Sequence, residues 1–460
     1  MAYRPIDFNI IQKEFESRFP NGTLFEGKNF NYIKLVQHGL SYAMTDAQDK
    51  LLKKNPFEFW SLFKLKSRIN SFRNRKVEFI PQKSESILFL EGRRKLKLPT
   101  REEISPITHL IRESILSTEY SWWDTTGAFE KEADFSLKQM SNWFPSTNEI
   151  QREIYDELKG VLRGLKNSKT LSRLEVRYVE SAFYVFFRSF SRWYELLSIA
   201  KPKTLVGITH YHNEGCLAAA KMLGIKTVEL QHGLISRHDL YYVYPEMYRG
   251  ALAKGMFPNE IWLFGKFWKD VLQRGAESEF MKPVVVGNFT SDSAMKLDQI
   301  QKENRVLLCA QKNLSAPYIK WIRFMRDHIL PNHPDWKLIV KLHPLESEEK
   351  KYMNEASDCV EVLAISASLN EELMRAKIQV SIYSTTFYDA LGMGVKNYSL
   401  NEIGFSNDYA SEMVANGMAE ALGNLEDVIK RYENSDIVYF NLTRENVFGC
   451  FQPGMLNFNS

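Results

Sequence analysis

The sequence predicts an α/β protein made of two doubly wound, Rossmann-like domains in series. Three observations carry that expectation. The chain has 460 residues, too many for one ordinary core. Residues 204–230 alternate strand, helix and strand, which requires parallel pairing and a right-handed crossover. A second alternating series starts at 283 and runs to 400, after a break near 276–283.

Each element has its own signal. SILFL (86–90) is a continuous apolar run stopped by Glu91-Gly92, the pattern of a buried strand. Residues 128–200 are mainly helical in pattern, and Lys201-Pro202 is a natural helix stop. TLVGIT (204–209) reads as a strand, EGCLAAAKMLG (214–224) as a helix closed by Gly224, and KTVEL (226–230) as the next strand. EIWLFGKFWKDVLQRG (260–275) adds a strand, a glycine turn and a helix. In the second series PVVVGN (283–288), RVLLCA (305–310), KLIVKLHP (337–344), IQVSIYS (378–384) and VKNYSL (395–400) are strands, with helices at 316–330 and 385–394. The expected division is an unassigned extension at 1–80, a first Rossmann-like domain at 81–280 and a second at 281–460.

Composition narrows the class. Hydrophobic residues make up 44% and charged residues 25%, ordinary globular values, and the net charge of +4 gives no case for nucleic acid. MAYRPIDFNI lacks the apolar core of a signal peptide, and no apolar run reaches the roughly 20 residues that span a bilayer. Four scattered cysteines without a CxxC pair suit a reduced, cytoplasmic setting. Residues 53–76 mix five aromatic or leucine side chains near their start with eight Lys/Arg and one Glu. Such a segment either lies on an anionic membrane surface or is a packed helix with a solvated basic face.

Parallel α/β sheets place ligand-binding loops at the carboxyl ends of their strands, and four polar groups fall there. THYHNEG (209–215) carries His210, His212 and Glu214 into a helix. VELQHGLISRH (228–238) carries Gln231, His232, Gly233 and His238, with Asp239 following; Gly233 is equally explained by a tight bend. KLHP places Lys341, His343 and Pro344 at a strand end. YSTT places Ser384, Thr385 and Thr386 at a helix start, with Asp389 one turn in. Hydroxyls at a helix N-terminus can hold phosphate oxygens, or can simply cap the helix. The histidines lack a cysteine or spaced carboxylate to complete a metal ligand set, so no metal is expected. There is no Asp-x-Asp, no Walker motif, no GxGxxG after a strand and no G-x-S-x-G elbow. VQHG also occurs at 36–39, without any of this context, and is taken as a coincidence.

In order along the chain, AAAKMLGIKTVELQHGL, KLHP and SIYSTTFYDALGMGV resemble recurring elements of bacterial GT-B glycosyltransferases of surface-polysaccharide assembly. The capsule polysialyltransferase and Kdo-transferase kinds are the most similar, with CDP-glycerol glycerophosphotransferases also alike. The resemblance covers about residues 204–425. It implies a GT-B-like fold, two Rossmann-like domains facing across a cleft, with acceptor and nucleotide-sugar domains. It assigns His343, Ser384, Thr385 and Thr386 to the donor and its phosphates, and puts His232 in the cleft. Where the polysialyltransferase-like enzymes carry an acidic pair before glycine, this chain has Asn213-Glu214-Gly215, which leaves one carboxylate and an uncertain base.

The expected activity is metal-independent transfer of a sugar from a CMP-, CDP- or UDP-linked donor to a hydroxyl of a glycan or lipid-linked glycan acceptor, with inversion the simplest scheme. Glu214 and His232 are the catalytic candidates, because the acceptor hydroxyl must lose a proton. The donor is a co-substrate and no cofactor is expected. Peripheral contact with the inner face of the cytoplasmic membrane would suit capsule or O-antigen assembly. A polyol-phosphate transferase and a non-catalytic sugar- or nucleotide-binding subunit are the competing expectations.

Overall fold

The computed structural model describes residues 8–20, 23–44, 87–91, 96–97, 103–105, 107–116, 119–125, 133–137, 148–207, 209–211, 213–233, 235, 241–289, 302–311, 314–344, 346–382, 384, 386–400, 413–415, 417–434, 447–456 and 458. The basic segment 53–76 lies outside these residues. So do His212, His238, Asp239 and Thr385. Among the described residues no helix is long and apolar enough to cross a membrane.

The chain forms two compact units. The first comprises Phe8–Ser293 and Cys450–Ser460, and its sheet has seven parallel strands. These are β1 (Ile87–Glu91), β2 (Tyr120–Asp124), β3 (Phe135–Ser136), β4 (Thr204–Gly207), β5 (Lys226–Leu230), β6 (Glu260–Leu263) and β7 (Lys282–Val285). They lie in the order β3-β2-β1-β4-β5-β6-β7. The order reverses between β1 and β4, the switch point at which doubly wound sheets bind ligands.

The unit's helices include α1 (Phe8–Arg18), α2 (Ile33–Met44), α3 (His109–Glu113), α4 (Glu149–Ser168), α5 (Arg173–Ala200), α6 (Glu214–Met222) and α7 (Lys266–Leu272), of which α2, α5 and α6 matter for the site. Capping boxes start α4 (Asn148 with Gln151) and α5 (Ser172 with Glu175), satisfying amides that the first turn leaves over. Along α5, Phe183, Phe186, Phe187 and Phe190 are buried at helical spacing. Tyr32 packs against Phe183 and Phe186 at ring distances of 5.8 Å. Burial of each such ring stabilises the fold by roughly 1.5–3 kcal/mol.

Two glycines set how closely the three helices of interest can approach. A Cβ on Gly39 would stand 2.7 Å from the Val179 backbone of α5, and one on Gly215 would stand 2.5 Å from the Phe190 amide. Both α2 and α6 therefore pack backbone to backbone on α5. This is a packing reason for the glycine in VQHG and for the one in NEG.

The second unit, chiefly Ala294–Gly449, has six parallel strands. They are β8 (Glu303–Cys309), β9 (Lys337–Lys341), β10 (Val360–Val362), β11 (Ala376–Ser381), β12 (Lys396–Ser399) and β13 (Glu420–Ala421), in the order β10-β9-β8-β11-β12-β13. Its helices include α8 (Ser315–Phe324), α9 (Leu369–Arg375), α10 (Thr386–Gly392) and α11 (Leu425–Glu433). Alternate residues go to opposite faces: Val306, Leu308, Leu338 and Val340 enter one core, while Leu307, Cys309 and Ile339 enter another.

Two doubly wound parallel sheets are the expected fold class. Three expectations need correction. The strand expected at 283–288 to open the second series pairs with β6 and closes the first sheet. Within the span 128–200, expected to be mainly helical, the described residues form helices at Glu149–Ser168 and Arg173–Ala200, but Phe135–Ser136 is a strand. The extension at 1–80 is not a separate piece where it is described, because α1 and α2 belong to the first unit.

Gly39→Ala gives a direct check on the close helix contact. The added methyl must move α2 from α5, costing about 1–3 kcal/mol against a gain of about 1 kcal/mol in helix propensity. A lowered Tm is expected. Gly233→Ala, whose Cβ would meet nothing within 4 Å, should stay within about 0.5 kcal/mol of wild type.

Candidate functional site

At the switch point of the first sheet lies a cavity of about 300 Å³. Its wall is made by Leu90 and Glu91 at the end of β1, Gly207 of β4, Glu229 of β5, and His210 and His232 on the loops that follow. This volume is at the small end of the ~300–1,000 Å³ typical of small-molecule sites and suits a single sugar ring.

His210 is fully buried and doubly bound. Its Nδ1 is 2.5 Å from Glu229 Oε2 and its Nε2 is 2.7 Å from the Tyr241 carbonyl. A carbonyl only accepts, so Nε2 carries a hydrogen. The other Glu229 oxygen accepts the Tyr242 hydroxyl at 2.5 Å. His210 thus builds the wall of the cavity.

His232 is half-buried, lines the cavity, and its Nε2 meets the Tyr211 hydroxyl at 3.1 Å. Tyr211 stacks on Tyr241 at 4.8 Å, and Tyr241 in turn packs against His38 at 4.8 Å. The histidines of the two QHG sequences therefore stand at opposite ends of one aromatic stack. This corrects the dismissal of VQHG at 36–39: His38 is buried, and its Nδ1 is 3.3 Å from Glu214 Oε1.

That contact also redirects Glu214. Its carboxylate is buried at the start of α6, facing His38, and is not among the groups lining the cavity. Gln231 is a clamp. Its Oε1 accepts the Phe264 amide and its Nε2 donates to the Gly233 carbonyl, both at 2.9 Å, tying the ends of β5 and β6 together. Gly233 lies in a bend, as expected, but without a left-handed φ, so the bend itself does not require glycine there.

Behind this wall lies a charged interior. Lys34 of α2 donates to the Met256 carbonyl at 3.1 Å. Burial pushes its ammonium down to about 8, against the pull of Glu214, Glu229 and Glu277. Glu277 accepts the Tyr244 amide at 2.8 Å, and burial pushes its carboxyl up to about 8 although Tyr244 and Lys34 oppose this.

In the second unit the residues expected at the donor site are found at the ends of β9 and β11. Lys341 is turned to structural use: its Nζ donates to the carbonyls of Leu342 and Ile365, both at 2.9 Å, and burial lowers its pKa. His343 is half-buried and Pro344 exposed in the following turn. Ser384 Oγ accepts from the Thr386 amide at 3.3 Å and from the Thr386 hydroxyl at 2.9 Å, and buried Gln379 bonds Thr386 in turn. Asp389 is exposed in the first turn of α10. Among the described residues no group of three or more His, Cys, Asp or Glu side chains is placed to hold a metal ion.

Sequence reasoning missed Glu91. In the sequence the Glu91-Gly92 step reads as a strand stop, whereas the Glu91 carboxylate sits buried at the end of the central strand. A lone acid closing an apolar run, at the first strand of a doubly wound sheet, was the available signal.

No protein-family model matches the sequence, and no curated protein matches it. Among solved structures the chain is similar to the UDP complex of S. aureus MnaA, at 13% identity and a TM-score of 0.45, over 81% of this chain and 93% of that one. It is also similar to UDP-GlcNAc 2-epimerase from Neisseria meningitidis bound to UDP-GlcNAc (14%, TM-score 0.44, 76% and 91%). A third is MurG of Acinetobacter baumannii (11%, TM-score 0.40, 81% and 93%). At these identities and TM-scores the likeness concerns architecture and says nothing of activity.

Glu277 gives a stability prediction with a definite sign. Its folded pKa of about 8 lies above the ordinary 4.5, so the folded state holds the proton more tightly between these values. Its contribution is therefore full below about 4.5 and is lost as pH rises toward 8. The Tm of wild type should fall steadily relative to that of Glu277→Gln from pH 5 to 7.5 in thermal unfolding. A constant difference would remove Glu277 as a titrating group.

Proposed function

We propose that this protein is a glycosyltransferase that moves a sugar from a nucleotide-activated donor to a hydroxyl of a bacterial surface glycan. The observation that supports this reading best is the first-unit cavity at the sheet's switch point. It has room for one sugar ring, and its lining includes Thr125, Thr209, Asn213 and His232, polar residues of types that hydrogen-bond to sugars. His232 offers a half-buried imidazole to a bound hydroxyl. In the second unit, His343 and the Ser384–Thr386 pair supply donors suited to a phosphate-bearing nucleotide. The acceptor hydroxyl belongs in the first-unit cavity and the nucleotide at the ends of β9 and β11. Capsule or O-antigen assembly, and contact with the membrane through 53–76, belong to the same proposal and rest on the sequence.

The test is a donor screen with CMP-, CDP- and UDP-linked substrates and glycan acceptors, read by mass. Sugar transfer is expected from one donor class, and His232→Ala should lower kcat/KM by about tenfold or more. Transfer of glycerol phosphate alone, or nucleotide binding without turnover, would overturn the reading.

A further inference from the structure

We infer that Thr209 and Asn213 determine acceptor specificity by binding one hydroxyl of a hexose in the first-unit cavity. Asn213 Oδ1 takes the hydrogen of that hydroxyl, and the Thr209 hydroxyl donates to its oxygen. The inference deepens the proposed function and rests on its reading of this cavity as a sugar site. Both residues line the cavity and both have accessible surface, Asn213 being exposed and Thr209 half-buried.

The orientation of the Asn213 amide is settled by its partners. Its Nδ2 lies 2.8 Å from the Thr209 carbonyl and 3.0 Å from Thr209 Oγ1. A carbonyl only accepts, so the amide nitrogen must face it. The amide oxygen is thereby left over. Asn213 stands at the start of α6, where an asparagine oxygen ordinarily accepts an amide of the first turn. Here it makes no such bond. Thr209 is in the complementary state: its oxygen accepts from Asn213, and its own hydrogen remains to be given. Among the described residues neither Asn213 Oδ1 nor the Thr209 hydroxyl hydrogen has a protein partner.

Other polar side chains of the wall are spent on the protein. Thr125 gives its hydroxyl to the Glu91 carbonyl, His210 and Glu229 bind one another, and His232 meets Tyr211. The Thr209–Asn213 pair is therefore the part of the lining with both an acceptor and a donor to offer.

Such a pair selects a hydroxyl, which gives and takes a hydrogen bond at once. A carbonyl or ether oxygen would satisfy Thr209 alone, and a C–H group neither. The apolar part of the wall suits the rest of the ring. Leu90 and Leu217 line the cavity and are half-buried, and Leu217 follows Asn213 by four residues on the same side of α6. They offer surface for the C–H face of a pyranose. Because the Thr209–Asn213 contact is open to solvent, the discrimination it confers is that of ordinary hydrogen bonds, roughly fivefold to tenfold.

The test titrates the full chain with methyl α-glucoside, methyl α-galactoside and the monodeoxy analogues of each, followed by ligand-observed NMR. Wild type is expected to bind at least one parent glycoside about fivefold to tenfold more tightly than one of its deoxy analogues. Asn213→Ala and Thr209→Val should erase that preference by weakening the parent alone, and Thr209→Ser should keep it. A merely structural role would weaken parent and analogue alike. Thr209→Val retains the side chain's shape and the carbonyl that Asn213 grips, so it reads the hydroxyl with the loop held. A preference that survives both Asn213→Ala and Thr209→Val would overturn the inference, as would no binding of any of these glycosides by wild type. Sugar transfer from a nucleotide donor would then leave the proposed function standing. Discriminating binding without transfer from any donor would instead overturn the proposed function and uphold the hydroxyl site.

Discussion

A buried imidazole held between a carboxylate and a backbone carbonyl is the contact on which the first-unit cavity depends. His210 follows β4, Glu229 belongs to β5, and Tyr241 lies on the chain beyond β5. None of these polar groups can be taken out of water alone without a large penalty. Together they satisfy one another and fix two loops against strand β5 in one arrangement. Removing one member would leave a buried charge uncompensated, a loss of about 3–5 kcal/mol. The position of Tyr241 then sets Tyr211 by stacking, and Tyr211 sets His232.

The same economy of polar groups explains why α2 belongs in this unit. Lys34 and His38 are both on α2, four residues apart and so on one helical face. That face meets Glu214 through His38 and lies within electrostatic reach of Glu229 and Glu277 through Lys34. Cationic or hydrogen-bonding partners must come close to the acids behind the cavity wall. Gly39 and Gly215 let the helices approach closely enough to supply them.

Much of the fold was legible because parallel strands buried on both faces are short, continuous and β-branched. KTVEL matches β5 to the residue, and KLIVK is β9. The strand at 282–285 was misplaced because an edge strand carries no mark of the sheet it joins. At the site, His232 was legible from its place after β5. Glu214 was not, since only the fold reveals that α2 lies opposite it. Lys341 illustrates the converse: a lysine two residues before a histidine suggests a phosphate ligand, but two carbonyls nearby hold the ammonium instead. Long-range pairing of this kind leaves no periodic trace.

The last described residues have a consequence for how the chain is made. Gln452 donates to the Val286 carbonyl, Phe458 accepts the Thr204 hydroxyl, and the Phe458 ring packs on Trp262 and Phe89. Topologically, the six-stranded unit is an insertion within the seven-stranded one, whose polypeptide is interrupted at 293 and resumes at 450. On the ribosome, the inserted unit has its whole sequence available before its host does. The host must wait with its central strands incompletely covered until residues 450–458 emerge, so the order of maturation runs against the order of synthesis.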